Sequence, residues 1–167
     1  MESDYRPLRF IDRLEGNNHI VLLYYQLKYA DLVIARYLLN SLKKDESCIF
    51  FTSDVPEAVD KRLSAQGIDV DSYKQANLLR IFRIERSDAN KQDALNTLKQ
   101  IRESATKGMK PPFRFVGRTI TDTKTIEGMK LGMVLERIGH EHFDEFYNSQ
   151  MCYHDISEIE KGRRDDG

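Results

Sequence analysis

The chain of 167 residues has the length of one compact domain, with 40% hydrophobic and 32% charged residues. Its net charge of −1 gives no electrostatic reason to expect nucleic acid or an anionic membrane as an obligatory partner. Both cysteines, Cys48 and Cys152, lie in apolar, strand-like runs, which favours buried thiols in a reducing compartment. The sequence shows neither a signal peptide nor a membrane-spanning run, so we expect a cytoplasmic protein.

The predicted elements alternate between helix and strand along the chain. A short amphipathic segment with apolar residues between positions 8 and 14 comes first and ends at Gly16. The predicted strands are Ile20–Tyr25, Ser47–Thr52, Leu78–Ile84, Phe113–Gly117 and Met151–His154, and the predicted helices are Leu27–Lys43, Pro56–Gln66, Asn90–Ala105 and Thr123–Ile138.

Continuous apolar strands separated by helices predict a mostly parallel sheet that is covered on both faces. The fold class is therefore α/β, a three-layer α/β/α sandwich. We expect residues 1–167 to form a single domain with a core at about residues 14–156, a flexible N-terminal segment and a flexible C-terminal tail.

Ligands of such sheets bind beyond the carboxyl ends of the strands. This rule selects residues 24–27, 52–54, 85–87, 118–121 and 154–155. Tyrosines there could line a mixed apolar–polar pocket, and arginine offers a planar fork for carboxylates and other anions. Tyrosines packed on the buried helix and salt-bridged surface arginines remain the alternatives. The predicted ligand-binding residues are His19, Tyr24, Tyr25, Thr52, Ser53, Arg86, Arg114, Arg118, Thr119 and His154.

Several reaction chemistries have no motif in this sequence. Neither G-x-x-x-x-G-K-[ST] nor G-x-G-x-x-G occurs, and the turn after the first strand contains no glycine, so we expect no ATP hydrolysis. The rings of His140 and His142 would point apart on a helix, which argues against a metal site there. We predict no catalytic residue, metal or cofactor, and an enzyme that uses Cys152 or the histidines remains the alternative.

Three segments together resemble a known family. They are GNNHIVLLYY, ESCIFFTSD and RLSAQGIDVDSYKQANLLRIFRI, and they are similar to the methanogen/methylotroph DcmR-type sensory domain, the MEDS domain. Gly16, His19 and Tyr24 correspond to the opening pattern of that family, and the stretch from Leu63 to Val70 matches its L-x-x-x-G-I-D-V motif. A final strand of the family is echoed, with altered spacing, by Met151–Asp155.

The resemblance implies a fold related to the circadian-clock type of RecA-like ATPases, with the phosphate loop lost. It implies a non-catalytic domain that senses a small organic ligand, such as a hydrocarbon derivative, in signal transduction or transcriptional regulation. Tyr25, Arg118 and Thr119 stand where the family often has other residues, including acidic ones, so a more anionic ligand is our hypothesis.

Members of this family are often joined to a kinase or a DNA-binding module, and neither is recognised in these 167 residues. We therefore expect the output to pass through a partner protein or through homo-oligomerisation, without direct binding to nucleic acid or membrane. The alternative reading is a degenerate RecA-like nucleotide-binding protein that assembles into oligomers.

Overall fold

The computed structural model describes residues 5–84, 94–118, 137 and 148–157. Helices and strands alternate through most of this part of the chain. In chain order the elements are α1 (Arg6–Asp12), β1 (His19–Tyr24), α2 (Leu27–Leu42), β2 (Ser47–Thr52), α3 (Pro56–Ala65), α4 (Val70–Gln75), β3 (Leu79–Arg83), α5 (Ala94–Thr106), β4 (Phe113–Gly117) and β5 (Asn148–Asp155).

The strands form one sheet in the order β1-β5-β4-β2-β3, and every neighbouring pair is parallel. The register brings Tyr24 beside Asp155, and Thr52 beside Arg83. All five carboxyl ends therefore lie along the same edge of the sheet.

Alternate residues of β2 face opposite layers, as the pleat of a strand requires. Cys48 and Phe50 belong to the core beneath α2 and α3, whereas Ile49 packs in a second cluster with Ala105 of α5 and with Phe115. The sheet is thus covered by helices on both faces, and the predicted three-layer α/β sandwich is confirmed.

Helix α2 is buried because apolar side chains surround most of its length. Ile34 and Leu38 are nearly inaccessible to solvent and pack towards the sheet. Helix α1 covers α2 from outside, since Leu8 and Ile11 lie three residues apart on one helical face and are both buried. The packed region therefore extends to residues before position 14, where the core was expected to begin.

Most predicted elements are present, with ends that differ by a few residues. Helix α4 was not predicted, because its six residues are too few to show a helical period. It begins at an N-cap, where the Asp69 carboxylate accepts hydrogen bonds from the backbone N–H and the hydroxyl of Ser72, at 3.3 and 2.8 Å. Strand β5 begins at Asn148, before the predicted Met151. The predicted helix Thr123–Ile138 falls almost wholly outside the described residues.

Helices capable of crossing a bilayer were sought in the described part of the chain. None of the helices there is both long enough and apolar enough to span a membrane.

Candidate functional site

A cavity of about 250 Å³ opens at the carboxyl edge of the sheet, and we call it the edge cavity. All five strands contribute to its wall, either by a residue near the strand end or by one that directly follows it. Two helices on one face, α2 and α3, complete the wall. The lining residues are Tyr24, Leu27, Phe51, Thr52, Ser53, Asp54, Arg62, Ile84, Arg118, Tyr153 and Asp155.

The topology creates this cavity beside the end of β2. The chain leaves β2 towards α3 on one face of the sheet, whereas α5, which follows β3, packs on the opposite face. Neighbouring strands whose connections diverge leave a crevice at the sheet edge. The backbone N–H of Ile84 donates to the Thr52 carbonyl at 2.8 Å. The backbone N–H of Asp54 donates to Thr52 Oγ1 at 3.0 Å, which holds the turn that bears Ser53.

Arg62 is held in the cavity wall by an ion pair with the preceding helix. Its Nε and Nη2 donate to Asp31 Oδ1 at 2.9 and 2.6 Å, and it also bonds to the Tyr153 side chain. Burial alone would lower the pKa of Arg62, but the bonds to Asp31 and Tyr153 raise it above the ordinary value. Arg62 is therefore a cation held in place, and part of its guanidinium is already hydrogen-bonded to Asp31.

Tyr153 forms the buried floor of the cavity. Its ring packs against Tyr24 and Phe50, with centroids 6.2 and 6.0 Å away, and the guanidinium of Arg118 lies 5.7 Å from the ring centroid. Burial raises the pKa of the Tyr153 phenol, and the nearby Arg62 and Arg118 only partly offset this. The hydroxyl is therefore neutral at physiological pH and can both donate and accept a hydrogen bond.

The lining also contains two carboxylates, besides the guanidinium groups of Arg62 and Arg118. Asp54 is exposed in the turn after β2, and Asp155 is the last residue of β5. Asp155 Oδ1 accepts two hydrogen bonds from Ser157, one from the backbone N–H at 2.9 Å and one from the side-chain hydroxyl. The edge cavity is thus of mixed charge, neither acidic nor purely apolar.

Four predicted ligand-binding residues meet in this cavity: Tyr24, Thr52, Ser53 and Arg118. Tyr25 follows Tyr24 but is not among the lining residues; it is 64% exposed and lines a second surface groove, to which Tyr24 and Tyr29 also contribute. His154 lies on the strand between Tyr153 and Asp155 and is not among the lining residues. The remaining predicted residues at this edge, Arg86 and Thr119, lie outside the described residues.

Two other predicted residues lie away from the edge cavity. His19 is the first residue of β1 and pairs with Gln150, at the amino end of the sheet. Arg114 is the second residue of β4 and is buried beneath α2. Its Nη1 donates to the Tyr37 carbonyl at 2.7 Å, and its guanidinium lies 4.3 Å from the Tyr37 ring centroid. These contacts explain the burial of Arg114 as packing within the core, away from the edge cavity.

Arg62 was missed by sequence reasoning, although a signal for it existed. Pro56 begins α3, and Val59 and Leu63 form the buried face of that helix. Arg62 follows Val59 by three residues and directly precedes Leu63, so helical periodicity places it at the inner margin. Asp54 and Asp155 lie within the segments that the strand-end rule selects, but the predicted ligand-binding residues include no carboxylate.

The structure describes part of the surroundings of the histidines and of Cys152, the residues of the enzyme alternative. In the part of the chain that the structure describes, no three histidine, cysteine, aspartate or glutamate side chains could hold a metal ion together; His140 and His142 lie outside that part. Cys152 is buried, and its sulfur accepts a hydrogen bond from Gln150 Nε2 at 3.1 Å. His154 is two residues further along β5, on the same face.

Comparison with known proteins identifies one family. The family model described as "MEthanogen/methylotroph, DcmR Sensory domain", abbreviated MEDS, matches residues 18–163. That range begins immediately before β1 and includes β5, so it contains all five strands of the described residues and every lining residue of the edge cavity. The search of curated proteins found no match.

Proposed function

Because the chain belongs to the MEDS family of sensory domains, we propose that it is a non-catalytic domain that senses a small organic ligand bound in the edge cavity. The observation that carries the proposal is the convergence of all five strand ends on one cavity with a buried phenol and two guanidinium groups. Concave sites in which a few polar groups converge beside aromatic side chains are typical of small-molecule binding.

The size of the cavity restricts the ligand. Its volume of about 250 Å³ is below the range of about 300–1,000 Å³ that drug-sized ligands occupy. A small metabolite suits this space better than a nucleoside triphosphate does. The turn from β1 to α2 consists of Tyr25 and Gln26 alone, which leaves no glycine-rich segment there to surround a phosphate.

The charge of the lining bears on the ligand's polar groups. Arg118 can pair with an anionic oxygen, while Tyr153 offers a neutral hydroxyl on the cavity floor. Asp54 and Asp155 would accept hydrogen bonds from ligand hydroxyl or amino groups and would repel an anion of high charge. A ligand with one anionic or strongly hydrogen-bonding group matches this set better than a polyphosphate does.

Native mass spectrometry of the purified protein, compared with a denatured sample, tests the proposal directly. We expect a small molecule that dissociates on denaturation. The Tyr153→Phe variant should retain that molecule less well, because it loses the phenol hydroxyl but keeps the packed ring. Tyr73→Phe, outside the cavity on α4, is the matched control.

The proposal would be wrong if a wide metabolite screen by thermal shift produced no stabilisation of the protein and no molecule co-purified. Stabilisation by ATP with magnesium, unaffected by Tyr153→Phe, would instead favour the nucleotide-binding alternative. A ligand that stabilises the wild type but not the variant would support the sensing site.

The route of the output signal is part of the proposal. The family is named for sensing, and we expect the ligand-bound state to be read by a partner protein or by another copy of this chain, within the cytoplasm and in signalling or transcriptional control. Comparing the molecular mass in solution with and without the ligand distinguishes these two routes: a ligand-dependent change in mass supports the second copy.

A further inference from the structure

A second cavity adjoins the edge cavity on the opposite face of the sheet. It has a volume of about 80 Å³ and lies between α5 and the sheet, and we call it the apolar cavity. Leu98 and Ile101 of α5 form one side, and Phe115 of β4 forms the other. Its accessible wall is mostly apolar, although the guanidinium of Arg102, 4.7 Å from the Phe115 ring centroid, and the amide of Gln150 also line it.

The two cavities share part of their wall. Phe51, Ile84 and Arg118 line both. Phe51 stands between them and stacks on Phe115, with ring centroids 5.6 Å apart and an interplanar angle of 18°. The guanidinium of Arg118 therefore stands where a polar compartment meets an apolar one.

Gly117 sets the width of the apolar cavity at this junction. It lines that cavity, and a Cβ built on it would lie 3.1 Å from Phe51 Cβ. Any larger residue would push Phe51 or occupy the space beside it. The absence of a side chain at this strand end keeps the cavity open next to Arg118.

From this juxtaposition we infer that the two cavities form one bipartite site for a small monocarboxylate with a short apolar arm. The inference rests on the proposed sensing function and specifies the ligand class. The carboxylate pairs with Arg118, while the arm passes Phe51 and lies among Leu98, Ile101 and Phe115. Arg118 favours one negative charge on the ligand, and Asp54 and Asp155 in the same lining disfavour any further negative charge.

Binding of straight-chain monocarboxylates from acetate to octanoate to the full chain, followed by calorimetry, tests this inference. Affinity should rise by about fourfold for each added methylene while the arm fills the apolar cavity, and should then reach a plateau or fall. The matched primary alcohols should show the same dependence on length with weaker binding throughout.

Variants separate the two halves of the site. Arg118→Gln should weaken every acid by a similar factor of about ten or more and leave the alcohols unchanged. Gly117→Ala should move the affinity maximum to shorter acids and leave acetate unaffected. Leu98→Ala, which enlarges the same cavity, should move the maximum to longer acids and remains informative if Gly117→Ala fails to fold. Ser64→Ala, exposed on α3, is the control.

Two results would overturn the inference while leaving the sensing function intact. One is acid binding that depends on Arg118 but not on chain length, because the apolar cavity would then take no part. The other is that the protein co-purifies with a ligand that is not a monocarboxylate and binds none of the acids tested. The absence of any ligand would instead count against the proposed function itself.

Discussion

Two arginines only four residues apart have different environments in this fold. Arg114 lies in β4 and is 7% exposed beneath α2, whereas Arg118 directly follows β4 and is exposed at the sheet edge. The guanidinium of Arg114 both donates to the Tyr37 carbonyl and stacks on the Tyr37 ring. A planar group achieves both at once, and a lysine cannot.

We therefore expect Arg114→Lys to lower the free energy of unfolding by about 1–3 kcal/mol with little change in ligand affinity. Chemical denaturation measures the free energy of unfolding, and titration calorimetry measures the ligand affinity. Arg83→Lys is the control, since Arg83 is exposed at the end of β3. A large loss of ligand affinity with unchanged stability would show that Arg114 takes part in ligand binding.

Cys48 provides a pH-dependent prediction at the same scale. Burial raises the pKa of its thiol from 9.0 to about 12. The unfolded chain releases this proton first as the pH rises through 9, so the native state binds more protons there and stability falls with increasing pH. The loss from this one group should be roughly 1 kcal/mol between pH 8 and 9.5.

Urea unfolding of the wild type and of Cys48→Ala across that pH range isolates the contribution of Cys48. The variant will be less stable at every pH because of the lost packing, so the comparison concerns the slopes. The wild type should lose more stability with rising pH than the variant does. Parallel slopes would show that the native thiol titrates like a solvent-exposed one.

Helix α3 shows how a single glycine ends an element and directs the chain onwards. Gly67 has a φ of +89°. Its backbone N–H donates to the Ser64 carbonyl at 3.0 Å, and that of Ile68 donates to the Leu63 carbonyl at 3.2 Å. This is the Schellman pattern, and Leu63 and Ile68 make the apolar contact that accompanies it. The motif ends the helix that carries Arg62.

Gly67→Ala should destabilise the protein by about 1 kcal/mol or more, because alanine disfavours a positive φ. No steric clash contributes, since nothing lies within 4 Å of a Cβ built there. Thermal unfolding measures the effect, with Ser64→Ala on the exposed face of the same helix as the control. Equal melting temperatures for the two variants would contradict the argument.

At the scale of the whole molecule, the sheet is completed by pairing between the two ends of the described chain. Strand β1 pairs with β5, and the backbone N–H of Asn18 donates to Ser149 Oγ at 3.2 Å, 131 residues away in sequence. β5 separates β1 from β4 and carries the fully buried Met151 and the floor residue Tyr153. Such non-local pairing makes the fold cooperative.

A chain that ends at residue 147 should therefore show no cooperative unfolding transition, because β1 loses its partner and the edge cavity its floor. A chain that ends at residue 163, the limit of the family match, keeps β5 and should unfold in one transition. Circular dichroism during thermal unfolding distinguishes the two. A cooperative transition in the shorter chain would show that the sheet folds without β5.

The local elements were predictable because their signals are local. SCIFFT is a continuous apolar run and forms β2 at its predicted limits, Ser47–Thr52. Pro56 and Gly67 mark the two ends of α3. The α4 segment lacks such a signal, because its helix is short and depends on a cap at Asp69. The strand-end rule identified Tyr24, Thr52, Ser53 and Arg118 for the same reason: strand limits alone place them at one edge.

The rest depended on contacts between residues far apart in the chain. The predicted strand Ile20–Tyr25 already places His19 at its amino end, but nothing near His19 indicates that the neighbouring strand is β5. Nothing near Arg62 indicates that Asp31 of α2 will hold it beside Tyr153. Periodicity specifies the face of an element but neither its neighbour nor its depth.

The amino-acid sequence by itself determined the element types, the parallel α/β class and the family, because apolar runs, helix punctuation and short motifs are properties of neighbouring residues. Tertiary structure alone decided the strand order β1-β5-β4-β2-β3, the burial of Arg114 and the union of Arg62, Arg118 and Tyr153 around one cavity. These follow from long-range packing, in which the free energy of burying distant side chains together selects one arrangement among many that the local pattern allows.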